Sequence, residues 1–247
     1  MIDLRPCCSE IKNQHDVKCA SSCAVTELYE FRLNTILNKK SNMSTLFNYK
    51  TTRNILQTSG NIDCSTDLAM TSLILFGLIP DRYWPFVVSK YDVEPSAFCY
   101  ALGQNFKAME PIKLDYEGIS NDFLLEKIKS ILEKKLAVCF EFSASKECLD
   151  QTDKEGNISP PDASIENNQR LSVLAVGYDD RRKMKNLEYE GVHEGAFLFQ
   201  NSLGKKWGDR GFGWLPYEYV LSGKVKGCWT ITDSEFIDLE EFGLSYS

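Results

Sequence analysis

Residues 13–25 read NQHDVKCASSCAV, a polar turn followed by the start of an apolar helical run. Apolar residues then recur three and four positions apart as far as Phe31, which is the spacing of a helix with one buried face. Cys19 stands at the start of this predicted helix, where the helix dipole favours a thiolate. The Gln14 amide is placed to donate a hydrogen bond to an oxyanion beside that sulfur. The stretch predicts either a reactive thiol or a core cysteine, because free cysteines are among the most buried residues.

A second region combines an apolar strand with a glycine-rich turn. Residues 171–178 read LSVLAVGY, and residues 197–213 read FLFQNSLGKKWGDRGFG. With the first stretch, they resemble the papain-like cysteine peptidases, in particular the bacterial and archaeal branch. The resemblance runs over most of the chain and is most specific at the NSLG of residues 201–204, at Trp207-Gly208 and at residues 3–14, which look like the start of the mature domain.

The resemblance implies a role for individual positions. In the family a cysteine heads the central helix, a histidine opens the strand that follows the long loop, and an asparagine lies in an Asn-Ser-Trp-Gly motif. Cys19 then takes the nucleophile position, and Gln14 the oxyanion position, one residue closer to the cysteine than usual. Asn201 takes the position that orients the histidine, and Leu171 stands where the histidine itself belongs.

Further departures fall at positions that meet substrate in the family. Asp63 and Cys64 replace the paired glycines whose backbone approaches the peptide, so each adds a side chain there. Leu203 replaces the tryptophan that shields the Asn–His hydrogen bond. Arg170 precedes Leu171 and places a cation at the edge of the predicted cleft.

The missing histidine decides the expected chemistry. A papain-type thiol needs a proton acceptor to form thiolate, and the leaving amine needs a proton donor. The histidine supplies both, and Leu171 can supply neither. We therefore expect no ordinary peptide cleavage, since loss of a triad member costs orders of magnitude in rate. One alternative stays open: a bulge could turn Arg170, Ser172 or a residue of the preceding loop toward Cys19. The other histidines, His15 and His193, do not fit the vacant position.

Composition limits the class of protein. The 247 residues are 43% hydrophobic and 26% charged, with a net charge of -7 that argues against nucleic acid and anionic membranes as partners. The polar start of the chain is unlike a signal peptide, and the longest apolar run, residues 73–80, is too short to cross a bilayer. We expect a cytoplasmic protein, with export by a leaderless route left open. The nine cysteines include no Cys-x-x-Cys pair, so we expect no metal site and no cofactor.

The pattern along the chain predicts an α+β protein. Helices are expected from Cys19 to about Leu37, over 46–56, from a cap at Ser65 to Gly77, over 96–104, and from a cap at Asn121. Strands are expected at 137–142, 171–178, 196–200, 212–220 and 228–231. The resemblance implies a papain-like fold for residues 1–247: a helical left subdomain (about 13–108), a β-barrel-like right subdomain (about 109–232), a cleft between them, and crossing arms or tail at 1–12 and 233–247. Cys19 should face Leu171 and Asn201 across that cleft.

Three functions remain open. The first is a papain-fold pseudoenzyme that binds a peptide or protein partner in the former active-site cleft. The second is a Cys19-dependent enzyme with altered chemistry, such as acyl transfer, cyclisation or thioester hydrolysis. The third is a cysteine peptidase that recruits a base from elsewhere, including another chain. The sequence carries no signal for an oligomeric state.

Overall fold

The computed structural model describes residues 1–107, 110–145, 149, 152, 154–161, 168–185 and 192–232. The predicted tail at 233–247 and parts of the loop before the strand predicted at 171–178 lie outside the described residues. The helices are α1 (Ala20–Leu37), α2 (Thr45–Ile55), α3 (Thr66–Phe76), α4 (Ala97–Gly103), α5 (Asn121–Glu133) and α6 (Glu218–Leu221). The strands are β1 (Ile2–Asp3), β2 (Pro111–Lys113), β3 (Val138–Ser145), β4 (Asn168–Lys185), β5 (Val192–Gln200), β6 (Phe212–Pro216) and β7 (Val225–Ile231).

Helix α1 is the central helix, and most of its residues are buried on every side. Its N-cap is Cys19, and it ends at Asn38, which adopts the left-handed conformation with φ 50°. A helix that is buried all round must pack against several elements at once. It contacts α2 and α3 on one side and β3 and β4 on the other. The helix therefore separates a helical part of the chain from the sheet.

Helices α2 and α3 begin at serine caps. The Ser44 hydroxyl accepts a hydrogen bond from Phe47 N at 3.1 Å, and the Ser65 hydroxyl accepts one from Leu68 N at 3.3 Å. Each cap satisfies one of the amide groups that the first turn of a helix leaves without a partner. The predicted cap at Ser65 is confirmed. The predicted cap at Asn121 is wrong by one residue, because Ser120 accepts the hydrogen bond from Phe123 N and Asn121 is already helical.

The described strands form a seven-stranded, largely antiparallel sheet in the order β2-β7-β3-β4-β5-β6, with β1 paired to β4. Strand β1 brings the amino-terminal arm to the sheet, where Ile2 pairs with Tyr178. Strands β4 and β5 are longer than predicted, because they continue as a two-stranded ribbon beyond the core, past a break in register after Asp179. The predicted strand 212–220 is wrong in its second half, where residues 218–221 form α6.

The buried apolar residues form two separate clusters. The larger one fills the space between α1, α3, α5 and the sheet, and it includes Phe140, Phe142 and Phe199. The smaller one lies among the start of α1, α2 and the residues just before α1. It consists of five buried residues: Val17, Cys19, Cys23, Leu46 and Tyr49. The predicted nucleophile thus belongs to the small cluster within the helical part.

Candidate active-site cleft

Cys19 is enclosed at the start of α1. Its residue is 0% exposed, and its amide donates to Val17 O at 2.8 Å, so the chain turns tightly into the helix at this point. The Cys19 sulfur lies 3.9 Å from the sulfur of Cys23, one helical turn later. Contact with Cys19 and burial raise the pKa of the Cys23 thiol well above its ordinary value. The pair is therefore surrounded by protein, and neither thiol is offered to solvent.

Ala20 is the first residue of α1, and its side chain is only half-buried. The sequence analysis assigns no role to Ala20, although the spacing from Gln14 indicates this residue. Gln14 lies one residue closer to Cys19 than the family pattern requires, so the usual spacing from Gln14 leads to Ala20. The residue at the open end of the helix is therefore a methyl-bearing alanine, which has no nucleophilic atom.

Gln14 is hydrogen-bonded within the protein. Its backbone amide donates to Ser202 O at 2.9 Å, and its side-chain Nε2 donates to Val17 O at 3.1 Å. Its Oε1 accepts from the Ser202 hydroxyl at 2.6 Å. The predicted oxyanion donor thus ties the turn before α1 to the loop that follows β5.

Asn201 is 2% exposed and follows the last residue of β5. Its Oδ1 accepts a hydrogen bond from Ser202 N at 2.8 Å. Its Nδ2 is buried and has no hydrogen-bond partner among the described residues. In the family the asparagine side chain orients the histidine, and in this sequence the predicted histidine position holds Leu171.

Leu171 lies on β4 directly opposite Phe142 of β3. Directly paired residues of an antiparallel ladder share one face of the sheet. Phe142 is fully buried and packs on the rings of Phe199 and Tyr219, and Leu171 packs as a half-buried side chain against the same large cluster. Cys19 belongs to the other cluster. A direct approach of Leu171 to Cys19 stays a prediction.

The two histidines make their contacts elsewhere. His193 Nδ1 lies 2.9 Å from Glu218 Oε1, at the start of α6. His15 adopts a left-handed backbone with φ 49°, and its ring centroid lies 6.4 Å from that of Phe86. The recorded contacts of His193 and His15 are thus with Glu218 and Phe86, respectively.

Polar contacts link the loop before α3 to strands β3 and β4. Arg170 forms a salt bridge with Asp63 at 2.9 Å and lies 3.7 Å from Glu141. Two residues further along β4, the Ser172 hydroxyl accepts a hydrogen bond from the hydroxyl of Thr66 at 3.2 Å. The side chains of Arg170 and Ser172 therefore join the two walls at one end of the predicted cleft.

The remaining predicted positions differ in exposure. Cys64 is 4% exposed, and burial raises the pKa of its thiol. Leu203 is 41% exposed and forms an isolated bridge with Asn13, next to Gln14. Leu203 thus offers an apolar surface beside the Gln14 turn, where the family places an aromatic shield.

The structure is similar to solved structures of cysteine proteases. Xylellain, a cysteine protease from Xylella fastidiosa, superposes with a TM-score of 0.78 and 21% identity over 95% of this chain and 86% of that one. The chain has the papain-like cysteine protease fold. The clostridial cysteine protease Cwp84 superposes with a TM-score of 0.72 and 16% identity, over 95% of this chain and 57% of that one. A digestive procathepsin L2 from Tenebrio molitor larval midgut has a TM-score of 0.66 and 16% identity, over 93% and 66%.

One curated relative agrees with the papain-like fold. It is an uncharacterized peptidase C1-like protein of Acanthamoeba polyphaga mimivirus, 24% identical over 205 residues, or 81% of this chain. The chain spans 60% of the length of that relative. No protein family model matches the chain.

The sequence pattern does not predict the buried ion pair between Lys12 and Glu30. The Lys12 ammonium lies 2.8 Å from Glu30 Oε1 on α1, where the Glu30 side chain is 0% exposed. Glu27, one turn earlier, is also buried, and burial together with the nearby Cys23 raises the pKa of its carboxyl well above the ordinary value. Sequence patterns assign such charged residues to a solvated helix face, so they gave no warning of burial.

Other classes of site find no support in the described residues. No cluster of three or more His, Cys, Asp or Glu residues there is arranged to hold a metal ion. Across the same residues, no helix is both long and apolar enough to span a membrane. The eight cysteines that the structure describes are free of disulfides.

Proposed function

We propose that this chain is a papain-fold pseudoenzyme that binds a peptide or protein partner in the former active-site cleft. The observation that carries the proposal is the burial of Cys19, whose residue is 0% exposed and whose sulfur contacts Cys23. A thiol must reach the substrate carbonyl to attack it, and a fully enclosed sulfur cannot do so without opening the start of α1.

The neighbouring positions support the same proposal. Ala20, at the usual distance from Gln14, has no nucleophile, and Leu171 has no titratable group. Gln14 and Ser202 exchange two hydrogen bonds, so the predicted oxyanion donor already serves the fold. Loss of both the nucleophile and the base would lower the rate of peptide hydrolysis by orders of magnitude.

Thiol labelling tests the catalytic half of the proposal. Native protein is treated with iodoacetamide, and the modified cysteines are identified by mass spectrometry. Cys7, which is partly exposed, serves as an internal reference, and Cys19 should react far more slowly than Cys7. Rapid and selective modification of Cys19 at neutral pH would contradict the proposal and favour the Cys19-dependent enzyme with altered chemistry.

A pair of variants tests the position of the nucleophile. Ala20→Cys should add a readily labelled thiol, because the Ala20 side chain is only half-buried. Ala20→Cys with Leu171→His should label faster at acidic pH than Ala20→Cys alone, since an imidazolium stabilises a nearby thiolate. Ser22→Cys is the matched control, because Ser22 is fully buried two residues further into α1. Equal labelling of Ala20→Cys and Ser22→Cys would contradict the assignment.

Binding is tested by selection of peptides displayed on phage against the intact protein. Peptides that occupy the former cleft should lose binding to Leu203→Arg, because Leu203 is 41% exposed beside the Gln14 turn. Leu221→Arg is the matched control, since Leu221 is 40% exposed at the end of α6. Failure to enrich any peptide, or equal loss in both variants, would count against a cleft-binding function.

A further inference from the structure

A cavity of about 660 Å³ lies in the helical part of the molecule, on the side of the Gln14 turn. Its walls come from the arm before α1, the segment between α1 and α2, and the loop after α3. This volume falls within the range of sites that hold small organic ligands. The residues that define its chemistry are Lys12, His15, Cys23, Thr45, Asp81 and Phe86.

Asp81 is the unusual group in this wall. It is half-buried, and burial raises the pKa of its carboxyl above the ordinary value, an effect that the nearby Lys12 and the Phe86 amide only partly offset. No ion pair joins Asp81 to another described residue. A carboxylate can accept about four hydrogen bonds, and the nearby Phe86 backbone amide favours the charged form of Asp81. The carboxylate can therefore accept further hydrogen bonds from a ligand in this partly buried cavity.

Thr45 supplies an independent observation. It is 3% exposed and lines the same cavity, and its hydroxyl has no hydrogen-bond partner among the described residues. A buried hydroxyl without a partner is costly, so a site of this kind is expected to be completed by a ligand or an ordered water.

The lysines on the wall are already engaged. Lys12 forms its ion pair with Glu30 at 2.8 Å and also donates to Met43 O at 3.4 Å. Lys40 donates to the carbonyl oxygens of Pro6 and Cys8. Asp81 is thus the charged residue of the inner wall that has no ion-pair partner among the described residues and can pair with a ligand.

We propose that this cavity binds the primary ammonium group of a ligand, with Asp81 as its counter-ion, Thr45 as a hydrogen-bond partner and Phe86 against its apolar body. An ammonium group donates three hydrogen bonds and carries the charge that Asp81 lacks. The aromatic face of Phe86 suits a cation and the carbon atoms next to it. A divalent metal ion fits less well, because it would need several further oxygen ligands. The cavity borders the Gln14 turn, but the proposed binding of an amine does not depend on the proposed cleft function.

The test uses L-leucinamide, a primary amine with an apolar side chain, in an isothermal titration with the full chain. N-acetyl-L-leucinamide is the matched control, because acetylation removes the charge and keeps the body. A third probe, Nα-acetyl-L-lysinamide, distinguishes a side-chain ammonium from a peptide amino terminus. We expect the free amines to bind about 10-fold or more tightly than N-acetyl-L-leucinamide, as expected for a charge-assisted hydrogen bond.

Variants assign the binding to the cavity. Asp81→Asn should weaken amine binding about 10-fold or more, and Thr45→Val should weaken it less. Asp122→Asn, at an exposed position in the first turn of α5, is the control that should leave binding unchanged. Asp81→Asn keeps an oxygen for the Phe86 amide, and a thermal melt checks that it folds. If Asp81→Asn does not fold, the comparison of acetylated and free amines on the unmodified protein decides.

Binding should also fall at acidic pH. The raised pKa of Asp81 means that its carboxylate gains a proton at a higher pH than usual, and the proton abolishes the attraction. Glu10, Lys12, Lys40 and His15 also face the cavity, so the pH profile is compared with that of Asp81→Asn, which retains all four. Equal binding of free and acetylated probes, equal binding to Asp81→Asn, or no saturable binding at about 10 mM would overturn the proposal.

Discussion

Replacement of Lys12 by methionine should unfold the protein far more readily than its position near the amino terminus suggests. The Lys12 ammonium lies 2.8 Å from Glu30 Oε1, with the two side chains 13% and 0% exposed. At this distance the attraction is worth about 6 kcal/mol at an effective dielectric constant of about 20. Removal of Lys12 leaves the Glu30 carboxylate buried without a cation, and such losses measure about 3–5 kcal/mol. We expect that loss near pH 7.

The pKa values of both partners are raised, which favours the charged form of Lys12 and the neutral form of Glu30. These shifts set the pH dependence of stability. Burial alone would lower the pKa of Lys12, but Glu30 raises it; burial raises the pKa of Glu30, and Lys12 offsets only part of this. The pH dependence of stability follows the Glu30 carboxyl, because the Glu30 side chain is fully buried. A carboxyl with a raised folded pKa binds protons more readily in the folded state, so its contribution to stability falls as pH rises above 4.5. Lys12→Met should raise this pKa further and steepen the fall.

Urea unfolding followed by circular dichroism at about pH 5 and about pH 8 measures this effect. The cost of Lys12→Met should be larger at the higher pH. Lys12→Met with Glu30→Gln should recover much of the loss, since glutamine removes the charge and keeps an acceptor for the Met43 amide, 2.6 Å from Glu30 Oε1. Lys205→Met is the control, because its salt bridge to Glu10 is exposed and should be worth less than about 1 kcal/mol. A loss below about 1 kcal/mol for Lys12→Met, or no recovery in the double variant, would refute the reasoning.

Three further substitutions have definite expected effects on urea unfolding. Glu27→Gln should stabilise the protein by about 1–2 kcal/mol near pH 8 and by less near pH 5, because the raised pKa of the buried carboxyl makes its ionised form unfavourable. Gly77→Ala should cost about 2–4 kcal/mol, since its φ is +73° and a Cβ would lie 1.8 Å from Gly103 O. Gly60→Ala is the control for this substitution and should cost about 1 kcal/mol, because open space surrounds Gly60. Arg170→Ala should cost less than about 1 kcal/mol, because its salt bridge is 44% and 40% exposed, and a larger loss would show that the bridge holds the cleft walls together.

The parts of the fold that sequence predicted well depend on local chemistry. Ser65 and Gly77 mark both ends of α3, because a hydroxyl satisfies the first amides of a helix and glycine readily adopts a positive φ, here 73°, where the helix ends. Strand β4 was recognised from its apolar run, but its length was underestimated. Its extension past Asp179 pairs with β5 outside the core, so no burial pattern records it.

The site was harder to predict, because it depends on which way side chains point at a single turn. Cys19 and Ala20 are adjacent, and a shift of one residue along a helix turns a side chain by about 100 degrees. Family resemblance favoured the cysteine, since it is the residue with the right chemistry. Spacing from Gln14 favoured Ala20, and the structure half-exposes Ala20 while it buries Cys19 in an apolar cluster.

Hydrogen bonds between Gln14 and Ser202 connect the turn before α1 to the loop after β5. Gln14 and Ser202 are 188 positions apart in sequence, yet they exchange a backbone hydrogen bond of 2.9 Å and a side-chain hydrogen bond of 2.6 Å. Each such bond is worth about 1 kcal/mol when both partners are present and more when one is left buried alone. These bonds give Gln14 and Ser202 a structural role that is independent of any catalytic role. By contrast, the Asn201 Nδ2 group has no partner among the described residues. Among Gln14, Asn201 and Ser202, Asn201 is thus the residue whose side-chain amide is left unsatisfied by the described residues.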